Sequence, residues 1–241
     1  MRCFTYIFVF LFISIGAFSQ NAIVEAELKQ ADRNSRNGNY SEAIKHINNA
    51  LEEDPLYLPA LERKINVLIQ SEDDKGALKE VNELLKDFPQ QPEYYYLRSI
   101  IYLYKQKGGK AIDDLNNAIY YQMPKENLDK IYVSRGTAYY FIGDFESAEA
   151  DFQEAVTLNP KNASAYHSWG MLKYEEQLFD EAIANFNKAI LYEDNSAITH
   201  YNIAMAYYKQ DEMKDACHHF NRSCVLGNRS ACKIYYLECS E

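Results

Sequence analysis

Four cysteines, Cys217, Cys224, Cys232 and Cys239, fall within the last 25 residues of this 241-residue chain, at spacings of 7, 8 and 7. Seven residues on a helix make nearly two turns, so Cys217 and Cys224 share one helix face, and Cys232 and Cys239 share another. Gly227-Asn228-Arg229 lies between the two pairs and reads as a turn. An antiparallel hairpin folded about Asn228 sets Cys217 opposite Cys239 and Cys224 opposite Cys232. Thiols so placed can form two nested disulfides or bind zinc as a tetrathiolate. The zinc alternative lacks the short C-x₂₋₄-C chelate usual for that metal. Adjacent His218 and His219 point about 100° apart on a helix, so they do not easily join such a site together.

Other reactive constellations are missing. The chain has no phosphate loop, nucleophile elbow, zinc-protease motif or dinucleotide fingerprint. His46, His167 and His200 are scattered, without a fixed acidic partner in sequence. No catalytic group, cofactor or metal is therefore expected. The formal net charge is −10, from 25 Lys and Arg against 35 Asp and Glu. A balance this acidic, with no basic stripe, argues against nucleic acid or anionic lipid as a partner.

The first residues form a separate object. Arg2 precedes an apolar run from Phe4 to Phe18, and Ala17-Phe18-Ser19 is a small-x-small site before Gln20. Such a run is shorter than the ~20 residues of a spanning helix and has the regions of a secretory signal peptide, 1–19. The expectation is an exported protein, periplasmic or secreted, with no membrane span after cleavage. Clustered, even-numbered thiols in an exported chain favour disulfides over free cysteines.

Positioning these groups requires a scaffold, and the chain declares one through alanines at 43, 77, 111, 148, 182 and 216. Four of the five gaps are 34 residues and one is 37. A period of that length marks a stacked array of helical hairpins, with small side chains where two helices cross. Six repeats follow: 24–57, 58–91, 92–128, 129–162, 163–196 and 197–230. Counting from the first residue of each, position 8 is mostly small or short (Ala31, Ser99, Gly136, Gly170, Ala204) and position 24 is always apolar (Ile47, Val81, Leu115, Phe152, Phe186, Phe220). Pro55, Pro89 and Pro160 close three repeats, and Asn37-Gly38-Asn39, Gly108-Gly109 and Gly143-Asp144 read as turns between paired helices.

This pattern resembles the tetratricopeptide repeat family over residues 24–230. The fourth repeat matches best, with Gly136, Ala138, Tyr139, Gly143, Asp144, Phe145, Ala148, Phe152, Ala155 and Pro160 in register. The resemblance implies an all-α, right-handed superhelical solenoid of six hairpins, plus a C-terminal capping helix in 231–241. Asn34 and Lys173 stand where the family usually has a large packing residue. Three extra residues in the third repeat fall in the loop from Pro124 to Asn127.

Family ligands usually lie on the inner wall, built from the first helix of each repeat. Carried over, those positions give Tyr96, Ile100, Tyr104, Tyr140, Phe141, His167, Met171, Tyr174, Tyr201, Met205 and Tyr208. Tyr140, Tyr174 and Tyr208 recur at 34 residues and are expected to stack as a ladder. The family's carboxylate-clamp residues are replaced by Leu28, Asp32 and Arg63. The resemblance thus implies a non-catalytic scaffold for a protein or peptide partner, with glycan binding as the alternative. It competes with a plainer possibility, that many of these tyrosines only pack between repeats.

Overall fold

A computed structural model describes residues 22–192 and 196–239. The signal segment 1–19 and its cleavage site after Ser19 lie outside the described residues. Two compact units meet in the chain between Ile101 and Tyr102. All regular structure among the described residues is helical: α1 (22–36), α2 (Tyr40–Glu53), α3 (Leu58–Gln70), α4 (Asp74–Asp87), α5 (Pro92–Tyr104), α6 (Gly108–Tyr120), α7 (Leu128–Ile142), α8 (Phe145–Leu158), α9 (Ala163–Glu175), α10 (Phe179–Leu191), α11 (Ala197–Lys209), α12 (Met213–Val225) and α13 (Arg229–Glu238). Helices alternate with short turns from α1 to α12, two per repeat, and α13 is the terminal helix.

In the N-terminal unit, Leu28 and Ala31 of α1 pack with Ala43, Ile47 and Ala50 of α2 and Ala60 of α3. A second cluster joins Ile65, Ala77, Val81, Leu97 and Ile101. Asp73 caps α4 by accepting a hydrogen bond from the Gly76 N–H at 2.9 Å, which satisfies one of the orphan donors at a helix start.

The C-terminal unit is built around Phe152, Phe186 and Phe220, all buried at the same repeat position. Gly136 and Gly170 are small because these rings lie against them. A Cβ on Gly136 would sit 2.7 Å from Phe152 and 3.1 Å from the Ala148 carbonyl oxygen, and one on Gly170 would sit 2.7 Å from Phe186. Gly136 and Ala148 therefore mark a helix crossing. Asp144, Asn162, Ser196 and Asn228 cap α8, α9, α11 and α13 through their side chains.

Two sequence expectations change. Gly108-Gly109 is no turn: both residues begin α6, and the left-handed position is Gln106, at φ 52°. Gly108 is instead a close approach, since a Cβ there would lie 2.7 Å from the Ala138 carbonyl oxygen. The terminal helix starts at Arg229, two residues before the expected start, because the Asn228 side chain accepts from the Ala231 N–H and caps it there. The extra residues of the third repeat form a short 3₁₀ turn, Lys125–Asn127. Cys217 is bonded to Cys239 and Cys224 to Cys232, with Cα separations of 5.6 and 4.6 Å.

A candidate binding wall and its supports

Nine of the eleven wall residues fall in the C-terminal unit. Tyr96 and Ile100 belong to the N-terminal unit, both half-buried on α5, and Ile100 packs against that unit's core. In the C-terminal unit Tyr104, Phe141 and Tyr208 are 55, 44 and 41% exposed, while Tyr140, His167, Met171, Tyr174, Tyr201 and Met205 are half-buried. Each residue thus keeps part of its surface open to a ligand.

The expected ladder is resolved into separate rungs. Tyr140 stacks on Phe145 at 5.9 Å, Tyr174 meets Phe179 edge-on at 5.5 Å, and Tyr208 meets Phe220 at 6.5 Å. Among the described residues no ring contact joins the three tyrosines to one another. Successive repeats set these rings on different helices, whereas the second helix of the same hairpin brings a phenylalanine directly beneath each. Packing and exposure therefore coexist: one ring face is seated, and part of the rest is open.

Polar contacts tie the wall helices together. His167 Nδ1 and Thr199 Oγ1 are 2.9 Å apart across α9 and α11, and the Asn202 amide donates to the Met171 sulfur at 3.1 Å. Burial raises the Tyr140 phenol above its usual range, and the Glu175 charge and a hydrogen bond to Glu175 add to the shift. Tyr174 is raised likewise, by burial first and then by Glu175 and Tyr201. Glu175 was not among the wall residues read from sequence. Its position on the first helix, next to Tyr174, was available there, but its influence on the Tyr140 phenol depends on how α7 and α9 pack.

Behind the wall, charges are paired. Lys173 is buried where the repeat usually packs a large side chain; its stem replaces that bulk, and its ammonium reaches Glu149 at 2.7 Å and Glu176 at 3.0 Å. Arg135 forms a two-point contact with Asp151, and buried Asp129 accepts from the Asn159 and Asn162 amides at 2.7 and 2.8 Å. The α11–α12 hairpin holds a histidine pair, His200 and His219, with Nδ1 atoms 3.1 Å apart. No cluster of three or more metal-ligating side chains occurs among the described residues, and both cysteine pairs are disulfides, which leaves no tetrathiolate.

The tetratricopeptide repeat family models match residues 36–101 and 130–162. Each of these two segments is thus similar to tetratricopeptide repeats. Human tetratricopeptide repeat protein 13 is 31% identical over 127 residues, covering 51% of this chain and 14% of that protein. The chain thus spans less than a fifth of the curated relatives it matches. Among solved structures, the Cut9–Hcn1 assembly of APC/C aligns with a TM-score of 0.71 at 17% identity, over 90% of this chain and 43% of the other. YrrB, described as a tetratricopeptide repeat protein with an unusual peptide-binding site, aligns at 0.53 and 20% identity, over 79% and 98%. At these identities the structural likeness concerns the fold: stacked tetratricopeptide hairpins. No described helix is long and apolar enough to cross a membrane.

Proposed function

We propose that this protein is a non-catalytic scaffold whose repeats of the C-terminal unit bind a protein or peptide segment along the tyrosine-rich wall. The observation that carries the reading is the partial exposure of large rings whose undersides are fixed by phenylalanines. A seated aromatic ring loses little side-chain entropy on binding, and Tyr is enriched at binding hot spots. YrrB, a protein of like fold, is described as binding peptide, which is consistent with such a role. The wall joins rings to few fixed polar side chains, a composition that suits protein better than sugar.

Export is part of the same proposal. The N-terminal apolar run has the character of a signal peptide, and two disulfides suit an oxidising compartment outside the cytoplasm. Mass spectrometry of the native protein is expected to find Gln20 as the first residue; retained Met1 would reject export by cleavage.

Binding is tested by comparing wild type with a Tyr140→Ala/Tyr174→Ala/Tyr208→Ala variant in pulldowns from periplasmic extract and on a glycan array. Loss of the captured proteins in the variant is expected, with about 1–2 kcal/mol lost at Tyr174 alone. Equal capture by both proteins would show that the wall only packs. Binding to the glycan array by wild type alone would favour a sugar ligand.

A further inference from the structure

The end of a stacked helical array normally turns a polar face to solvent, and α13 does not. Ala231, Ile234, Tyr235 and Cys239 pack its inner side on the core around Phe220. Arg229, Lys233, Tyr236 and Leu237 recur at i, i+4, i+7 and i+8, so they share the other side, and all four are exposed. Tyr236 is 67% and Leu237 69% exposed. Helix α11 provides the contrast. Ile203 occupies the same repeat position as Leu237, yet it is fully buried in a cluster with Ala182, Ile183 and Phe186. Held by the Cys217–Cys239 and Cys224–Cys232 bonds, α13 instead turns that position outward. A stripe fixed by two cystines needs little ordering when something binds to it.

Charge selects the occupant. From Met213 to Cys239 four basic side chains, Lys214, Arg222, Arg229 and Lys233, stand against two acidic ones, Asp215 and Glu238, in a chain whose net charge is −10. Arg229 and Lys233 form no ion pair among the described residues. The stripe itself holds no acid, so a second copy of α13 offers its cations no counter-charge. We propose that the outer stripe of α13 is a docking surface for an acidic amphipathic helix of a partner protein, separate from the tyrosine wall. The partner's apolar side chains cover Tyr236 and Leu237. Its carboxylates lie about one and two turns away, opposite Lys233 and Arg229. The apolar end anchors such a helix, and the cationic end fixes its direction.

The test is a nitrogen-15 NMR titration of the oxidised protein with Ala-based helical peptides five turns long. Each carries one Leu-Leu pair, with Glu, Gln or Lys one and two turns from it. The Glu peptide is expected to shift the amides of α13 and to bind roughly threefold or more tighter than the Gln peptide, less so at high salt. The Lys peptide should not bind. Arg229→Gln/Lys233→Gln should bind the Glu and Gln peptides alike, and Leu237→Gln should weaken both. Thermal melts of these variants should match wild type, since the side chains are exposed. Tyr174→Ala alters the wall and should bind the Glu peptide as wild type does. Shifts confined to the wall, a Glu preference that survives in Arg229→Gln/Lys233→Gln, or no binding of any peptide overturns the docking surface and leaves the wall reading to its own pulldown. Dimerisation of wild type that Leu237→Gln abolishes would assign the stripe to a second copy. Binding to equimolar phosphatidylglycerol and phosphatidylcholine vesicles that Arg229→Gln/Lys233→Gln abolishes would assign it to a lipid surface. Either result overturns the acidic helix.

Discussion

Arg135 on α7 donates to Asp151 on α8 through two parallel hydrogen bonds, Nε to Oδ2 at 2.8 Å and Nη2 to Oδ1 at 2.7 Å. Asn116 takes a further guanidinium N–H at 2.7 Å, and the rings of Tyr132 and Tyr139 flank the group at 5.3 and 6.0 Å. The hydrogen bond to Asp151 is the main reason the guanidinium is held even more firmly charged than usual.

Asp151 is buried, so removing one member of this pair strands the other. Asp151→Ala is expected to cost about 3 kcal/mol in a urea denaturation. Replacing both, as Arg135→Met with Asp151→Leu, should recover most of that loss, because no unpaired charge remains. A double variant as unstable as the single one would show that the pair contributes more than mutual neutralisation.

Two glycines in the C-terminal unit should respond in opposite directions. Gly136→Ala forces a Cβ against Phe152 and is expected to lower stability by ~1–3 kcal/mol, as is Ala148→Leu from the other side of the crossing. Gly109 begins a helix in open space, so Gly109→Ala should gain ~0.5–1 kcal/mol. Paired thermal melts decide it, and a Gly136→Ala protein as stable as wild type would put the crossing elsewhere.

The two disulfides bracket the turn into α13, whose Ala231 packs with Ala204, Ala216 and Phe220. Replacing Cys217 and Cys239 by Ser is expected to cost ~2–4 kcal/mol and to raise amide hydrogen exchange in α13 ahead of α11. Non-reducing peptide maps of wild type should link 217 with 239 and 224 with 232. Crossed links would contradict the hairpin.

His219 carries a pH signature. Burial, followed by the charges of His200 and His218, pulls its imidazole down from near 6.5 to about 4, with Asp215 opposing. Between those values the unfolded chain binds the proton and the folded one does not, so stability rises with pH. The contribution is complete above pH 6.5 and disappears as pH falls through about 4. Melting temperature should therefore drop across that window, and His219→Gln should flatten the slope. An unchanged slope in the variant would assign the effect to other groups.

Much of the scaffold was legible because repetition multiplies weak signals. One small residue at a helix crossing means little; alanine at six equivalent places fixes a register, and the buried phenylalanines at 152, 186 and 220 follow from it. Cysteine pairing was legible for a related reason, since two helix faces and one turn leave a single nested arrangement. The Gly108-Gly109 turn misled because glycine signals both a bend and a close approach, and only the neighbouring helix tells which applies. Five non-glycine residues, Glu72, Gln106, Gln122, Gln177 and Asp211, adopt positive φ in interhelical turns without any local sequence warning.

The sequence by itself determined the helical period, the hairpin pairing, the buried positions and the cysteine partners, because each depends on spacing along the chain. Tertiary structure alone decided which phenylalanine seats each wall tyrosine and how Lys173 is tolerated in the interior, through Glu149 of the preceding hairpin. Those are distances between side chains on different helices. They depend on how the helices cross, which no one-dimensional spacing encodes.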